Sequence, residues 1–296
     1  MTPTRYLNIP FASVPWQKAW VVLALLVAVG GCDDDVRNQY QDTSYLFGPT
    51  VSRMVIEVDY HQGGEPYTEI EGSSSSPWTL FDLNINKLFS VTPRDIEIPS
   101  TLDAMENIGV SPIRDLTVDD LLSLVAEHRN TPDSRDIPSF YVLFANGYFY
   151  DDDARQDNVL GLSIGDTSTV VMFKPVIRKT APDLEGPADD LIRMFAEQMT
   201  LIHEFGHAVG LVDNGLTLTS AHHDDEHGKH CTNKKCVMYY LNEGARDLIQ
   251  FARDLDVCLA QADTPEQAAD CRVVFGQECL EDADQAALNQ STNVSD

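Results

Sequence analysis

The chain has 296 residues, 43% of them hydrophobic, which is enough for a sizeable core in one large domain or two small ones. Lys and Arg total 20 against 47 Asp and Glu, a net charge of −27. That balance argues against a nucleic-acid groove, which needs clustered positive charge, and the composition excludes a collagen, a coiled-coil rod and a multi-span membrane protein.

Residues 1–31 carry Arg5 and Lys18, no acidic residue, and an apolar run over 21–29 that ends in Gly30-Gly31-Cys32. The run is shorter than the ~20 residues of a membrane-spanning helix, and its parts are those of a secretory signal. Val29-Gly30-Gly31-Cys32 also resembles a bacterial lipobox. The resemblance implies cleavage before Cys32, a lipid on its sulfur, and a protein anchored in the bacterial cell envelope facing the periplasm or the exterior. Residues 32–50 are polar and acidic and are expected to form a tether.

Residues 51–60 alternate, with Met54, Ile56, Val58 and Tyr60 on one face, as in a half-buried strand. Residues 78–89 predict a helix with Leu80, Phe81, Leu83, Ile85, Leu88 and Phe89 as its apolar set. Thr117 and Asp120 form a capping-box pattern that opens a helix to about His128. Residues 140–144 read as an apolar strand, Asn146-Gly147 as a turn, and 159–164 and 168–173 as two further strands. A long helix begins at Pro187 and stops near Gly210, with Leu191, Phe195, Ile202, Phe205 and Val209 as its stripe. Thr264-Pro265-Glu266-Gln267 caps a last helix, and residues 281–296 read as a frayed acidic tail. The element order predicts an α/β (α+β) fold, a mixed sheet with helices upon it.

Beyond Cys32 lie five cysteines: Cys231, Cys236, Cys258, Cys271 and Cys279. An exported chain allows disulfides. Cys231 and Cys236 are close enough in sequence to pair. Cys271 and Cys279 are eight apart on one predicted helix, ~12 Å by helical rise, too far to bridge. Cys258 has either as partner, with Cys271 preferred.

The chemistry concentrates in His203-Glu204-Phe205-Gly206-His207-Ala208-Val209-Gly210-Leu211-Val212-Asp213. Two histidines four apart on a helix share a face and reach one metal ion. Glu204 sits about 100° round the helix, where it reaches a water on the metal rather than the metal itself. Gly210 lets the backbone turn sharply, which would return residue 213 to the metal. Downstream, residues 222–230 pack His222, His223, His227 and His230 into nine positions. Any of these four is an alternative third ligand, and the stretch also suits a second metal site or a plain polar loop.

The motif resembles the metzincin zinc peptidases, HExxHxxGxxH/D, with Asp in the third place as in snapalysin. Cys231-x4-Cys236-x-Met238 resembles the archaemetzincin branch, and it implies that Met238 is the Met-turn beneath the zinc. The chain departs from that branch in lacking its third His and the further cysteine pair of its second zinc site; here the Cys231/Cys236 pair reads better as a disulfide. The resemblance implies a Zn2+ ion held by His203, His207 and Asp213, Glu204 as general base, and Tyr240 beside the metal. It also implies a metzincin-like catalytic domain over 51–242, with residues 168–173 as the edge strand that binds substrate. A helical hairpin over 243–280 would follow. The expected function is a lipid-anchored zinc endopeptidase acting on a peptide or protein. The competing reading is a non-catalytic lipoprotein that binds metal or a partner; the intact Glu204 argues against it, because metal storage needs no general base.

Overall fold

The computed structural model describes residues 42–70, 76–110, 114–151, 153–181, 187–240, 258 and 261–293, all within the compact unit Gly31–Asp296. The signal, Cys32, and most of the expected 243–280 hairpin up to residue 260 lie outside the described residues. Among the described residues no helix is long and apolar enough to cross a membrane.

In chain order the first elements are β1 (Arg53–Gln62), α1 (Trp78–Leu88), β2 (Asp95–Glu97), β3 (Glu106–Val110), β4 (Arg114–Leu116) and α2 (Val118–His128). There follow β5 (Ser139–Ala145), β6 (Gly147–Asp151), β7 (Ala154–Gln156), β8 (Gly161–Ser163), β9 (Thr169–Phe173) and α3 (Lys174–Ile177). The chain closes with α4 (Pro187–Ala208), α5 (Pro265–Cys271) and α6 (Gln277–Asn293).

The fold is mixed α/β. The main sheet has six strands in the order β2-β1-β5-β9-β8, with β3 pairing the far end of β1. β1, β5 and β9 are parallel, with Ile56 beside Phe140 and Val142 beside Val170. Strands buried on both faces read as unbroken apolar runs, and all seven residues of β5 are buried. β8 is antiparallel to β9, Leu162 beside Val171, and ends the sheet on that side. The strand expected at the edge, residues 168–173, is therefore an inner strand. The edge is the shorter β8, whose Gly161-Leu162-Ser163 carries too little pattern to announce itself.

The Asn146-Gly147 turn does not fold β6 back onto β5. β6 runs parallel to β4 and antiparallel to β7 in a second, three-stranded sheet. Gly147 passes so close to β4 that a Cβ there would lie 2.7 Å from the Arg114 carbonyl oxygen, so the glycine serves strand contact rather than a hairpin.

The caps form as the residues dictate. Thr117 Oγ1 accepts the Asp120 backbone N–H at 3.2 Å, and Asp120 Oδ2 accepts the Thr117 N–H at 3.0 Å, opening α2. Thr264 and Gln267 repeat the box at α5. α4 lays Phe205 edge-on against Phe81 of α1 (ring centroids 5.5 Å) and over Phe140 of β5 (4.7 Å). Its apolar stripe starts later than its spacing suggests, since Leu191 is 50% exposed. Nearly two turns further, buried Glu197 pairs with buried Lys174, which directly follows β9, and accepts the Tyr67 N–H at 2.8 Å, pinning α4 to the sheet. Burial pulls the Lys174 ammonium down and pushes the Glu197 carboxyl up, while each partner opposes the other's shift.

Both chain ends differ from expectation. Within the expected 32–50 tether, Leu46 and Phe47 are buried, Phe47 stacks on Phe89 at 4.8 Å, and Gln290 of α6 donates to Ser44 Oγ at 2.7 Å. The 281–296 tail is mostly helix: α6 buries Asp282, Ala283, Ala286 and Ala287. Small alanines under an acidic surface give a weak hydropathy signal, so packing had to supply the helix. Nor do Cys271 and Cys279 share a helix. α5 ends at Cys271, and Gly276 lies where a Cβ would come 3.0 Å from Cys236 Cβ. The Cys258–Cys271 disulfide forms with Cα atoms 5.7 Å apart. Cys231 and Cys236, the other disulfide candidates, are both buried and neither forms a disulfide among the described residues.

Candidate metal centre

His203, Glu204 and His207 lie on the last two turns of α4, as their spacing requires. Gly206, between the histidines, faces the segment carrying Met238. A Cβ there would lie 2.4 Å from Met238 Sδ, so glycine is what allows the methionine to seat beneath the helix. Met238 itself is fully buried.

His203 is oriented by a chain of hydrogen bonds that starts in the core. Its Nδ1 lies 2.7 Å from the Val237 carbonyl oxygen. A carbonyl only accepts, so Nδ1 carries the proton and Nε2 is an unprotonated donor atom for a cation. Val237 N donates to the Val274 carbonyl at 2.8 Å, and Val274 N donates to Asn84 Oδ1 at 2.8 Å. Asn84 is fully buried on α1 and also donates to the Arg272 carbonyl at 2.9 Å. One asparagine thus sets the height of the segment carrying Val237 and Met238 and, through it, the rotation of His203.

His207 Nε2 lies 3.1 Å from His203 Nε2. His230 completes the set: ligand atoms of His203, His207 and His230 all fall within 4.8 Å of one another. His230 Nδ1 donates to the His227 carbonyl at 2.5 Å, which leaves its Nε2 unprotonated as well. The three rings crowd together, with centroids 4.8 to 5.3 Å apart. Two nitrogens each 2.0–2.1 Å from a tetrahedral ion sit about 3.3 Å apart, so the His203–His207 spacing fits a shared metal. His203 is 1% and Glu204 5% exposed, whereas His207 is half-buried, so the cluster is walled in on the helix side and opens near His207.

The structure does not bring Asp213 into this set. Gly210 turns with φ +95°, but Val212 and Asp213 also adopt left-handed φ of +56° and +58°. The chain is carried outward, and Asp213 ends more than half exposed, with its carboxylate 3.1 Å from Lys229 Nζ. Asn214 caps the helix instead, donating to the His207 carbonyl at 2.9 Å. Lys229 also donates to the Asp213 carbonyl, so the pair ties the turn after α4 to the loop that delivers His230. The third member therefore comes from the histidine-rich loop, the alternative left open by the sequence. The available signal was position: His230 precedes Cys231, whose N–H is bonded to the Met238 carbonyl at 2.7 Å.

The other loop histidines have separate partners. His223 pairs with Asp225 at 2.9 Å, and His227 with Asp224 at 2.8 Å. His222 pairs with Asp282 at 2.7 Å. Tyr240 stacks flat on His227 with centroids 3.6 Å apart.

Glu204 faces the edge strand. A Cβ on Gly161 of β8 would lie 2.9 Å from Glu204 Cγ and 2.7 Å from Thr200 Cγ2, so only glycine lets the edge strand pass this close. No family model, curated protein or solved structure matches the chain. The cluster's own chemistry, three imidazoles beside a buried carboxylate, is that of a metal site with room for a further ligand.

Proposed function

We propose that the chain is a zinc-dependent endopeptidase of metzincin type, anchored in the cell envelope through Cys32. The observation that carries the reading is the convergence of His203, His207 and His230 within 4.8 Å, with Glu204 one residue beyond the first of them. His203, His207 and His230 would hold the ion. When bound, zinc supplies a Lewis acid that brings the ionisation of water near neutral pH. Glu204, with little solvent around it, takes the proton from the attacking water and returns it to the leaving amine. The outer edge of β8 is positioned to pair with an extended peptide next to Glu204.

The test is a set of three variants assayed for bound zinc and for cleavage of a peptide library. Glu204→Gln keeps zinc and loses cleavage ~10²–10⁴-fold, the contribution of a general acid–base group. His230→Ala loses zinc, whereas Asp213→Ala retains it. Cleavage that survives Glu204→Gln removes the mechanism; zinc lost in Asp213→Ala and kept in His230→Ala reverses the ligand assignment. A wild-type chain that holds zinc but cleaves nothing favours the non-catalytic metal-binding alternative. Lipid labelling abolished by Cys32→Ser checks the anchor.

A further inference from the structure

A second group of ligand atoms meets away from the three histidines. His222, Cys231 and Cys279 each bring one ligand atom within 4.8 Å of the others. Cys236 Sγ lies 3.5 Å from Cys279 Sγ. A disulfide requires ~2.0 Å, while two thiolates at 2.3 Å from a tetrahedral ion stand about 3.8 Å apart. The observed spacing belongs to the second case.

The imidazole is prepared in the same sense. His222 Nε2 lies 2.7 Å from Asp282 Oδ2; a carboxylate accepts, so Nε2 carries the proton. In the neutral ring the other nitrogen, Nδ1, carries the lone pair; it is buried and turned to the Cys231 thiol, so imidazole nitrogen and sulfur converge on one point. Asp282 is itself fixed, with its Oδ1 accepting the Thr219 N–H at 2.7 Å and the Thr219 hydroxyl at 2.8 Å. A carboxylate that holds the far nitrogen of an imidazole in this way orients the near one toward a metal ion. The sulfurs also have backbone donors: Gly276 N–H to Cys236 Sγ at 3.0 Å and Asn233 N–H to Cys231 Sγ at 3.4 Å.

We propose that His222, Cys231, Cys236 and Cys279 form a second metal centre, of Cys3His type, that holds a structural zinc ion. All four residues are buried, so the ligand sphere is closed by protein and has no position for substrate, which separates it from the three-histidine site. The soft thiolates select zinc over hard cations. The four ligands come from the loop after α4, from Cys231 and Cys236 just ahead of Met238, and from the first turn of α6. One ion therefore joins the C-terminal helix to the loop that carries His230. Because Cys231 follows His230 directly, filling this centre fixes the backbone that presents His230 to the other site. That last coupling rests on the peptidase reading; the centre itself does not.

The experiment is cobalt substitution of the protein purified under reducing conditions. Cobalt bound to thiolate gives a near-ultraviolet charge-transfer band that an all-histidine site cannot give. The wild-type chain is expected to bind two ions and to show the band. Cys279→Ser abolishes the band and removes one ion, while His207→Ala removes the other ion and leaves the band intact. Asp282→Asn keeps the band but weakens this site's affinity ~10–100-fold, the usual cost of a lost second-shell partner; a protein that only needed Asp282 for folding would not show a titratable, weakened site. If Cys279→Ser does not fold, His222→Ala serves, with the band shifted and affinity lowered. A folded wild-type protein without the band overturns the proposal, as does a band that survives Cys279→Ser or a Cys236–Cys279 disulfide found in protein isolated without reductant. A band present in a chain that loses no metal on His207→Ala leaves this centre standing and removes the peptidase site.

Discussion

Asn84→Ala is expected to damage the metal centre from across the core. The side chain is fully buried on α1 and makes three hydrogen bonds: to the Leu80 carbonyl, to the Arg272 carbonyl at 2.9 Å, and from Val274 N–H at 2.8 Å. Truncation leaves the Val274 N–H and the Arg272 carbonyl unpaired in a dry interior, at about 1–3 kcal/mol each. The total, about 2–6 kcal/mol, corresponds to a fall in Tm of roughly 4–24 °C for a domain of this size. Because Val237 hangs from Val274 and His203 from Val237, zinc affinity falls together with stability. Asn84→Asp keeps an acceptor for Val274 and so spares zinc affinity more than Asn84→Ala does, although it loses the donor to both the Leu80 and Arg272 carbonyls and buries a carboxyl group beside them. Urea denaturation with and without saturating zinc, alongside zinc titration of the folded variant, separates the effects. An Asn84→Ala protein that loses stability yet binds zinc like the wild type would refute the relay through Val237.

Lys174→Met leaves the buried Glu197 carboxylate without its ammonium and costs about 3–5 kcal/mol in denaturation; adding Glu197→Gln, which keeps an acceptor for the Tyr67 N–H, recovers more than half. Gly161→Ala drives a methyl into Thr200 and Glu204, so turnover of any peptide substrate falls at least about tenfold with zinc retained, whereas unchanged turnover would mean that β8 yields freely. Burial pushes Asp59 up to about 7 from the ordinary 3.8. The folded chain then keeps a proton that the unfolded chain releases, so this group's stabilisation is complete below about pH 4 and is lost as pH rises through about 7. Asp59→Asn keeps an oxygen for the Tyr141 hydroxyl, and urea midpoints compared at about pH 5 and pH 8 will show that slope flattened if the assignment is right.

Much of the architecture was legible locally. Alternation in β1, unbroken apolar runs in β5 and β9, and the boxes at Thr117 and Thr264 depend on neighbours within a few residues, where side-chain period and backbone donors act alone. The placement of His203, Glu204 and His207 on a single helix is equally local, since four residues make about one turn. Cys258–Cys271 was the preferred of two pairings the sequence left open, although the single helix expected to keep Cys271 from Cys279 does not form. Where the sequence pattern misled, it did so through residues whose roles are not local. Gly147 serves a contact with Arg114 rather than a hairpin, and the alanines of α6 carry almost no hydropathy contrast yet are buried.

The sequence by itself determined the two imidazoles and the carboxylate of the centre, because helical rise and rotation place them without help from elsewhere. Only the tertiary structure decided the third imidazole. Asp213 has the expected spacing, but successive left-handed residues at 212 and 213 turn it toward Lys229 and solvent, and the cluster takes His230 from a distant loop instead. The same holds for Cys231, Cys236, Cys279 and His222, which no spacing rule groups together. They meet because α6 packs against the segment 231–238, and contacts made by packing are properties of the whole chain rather than of any window within it.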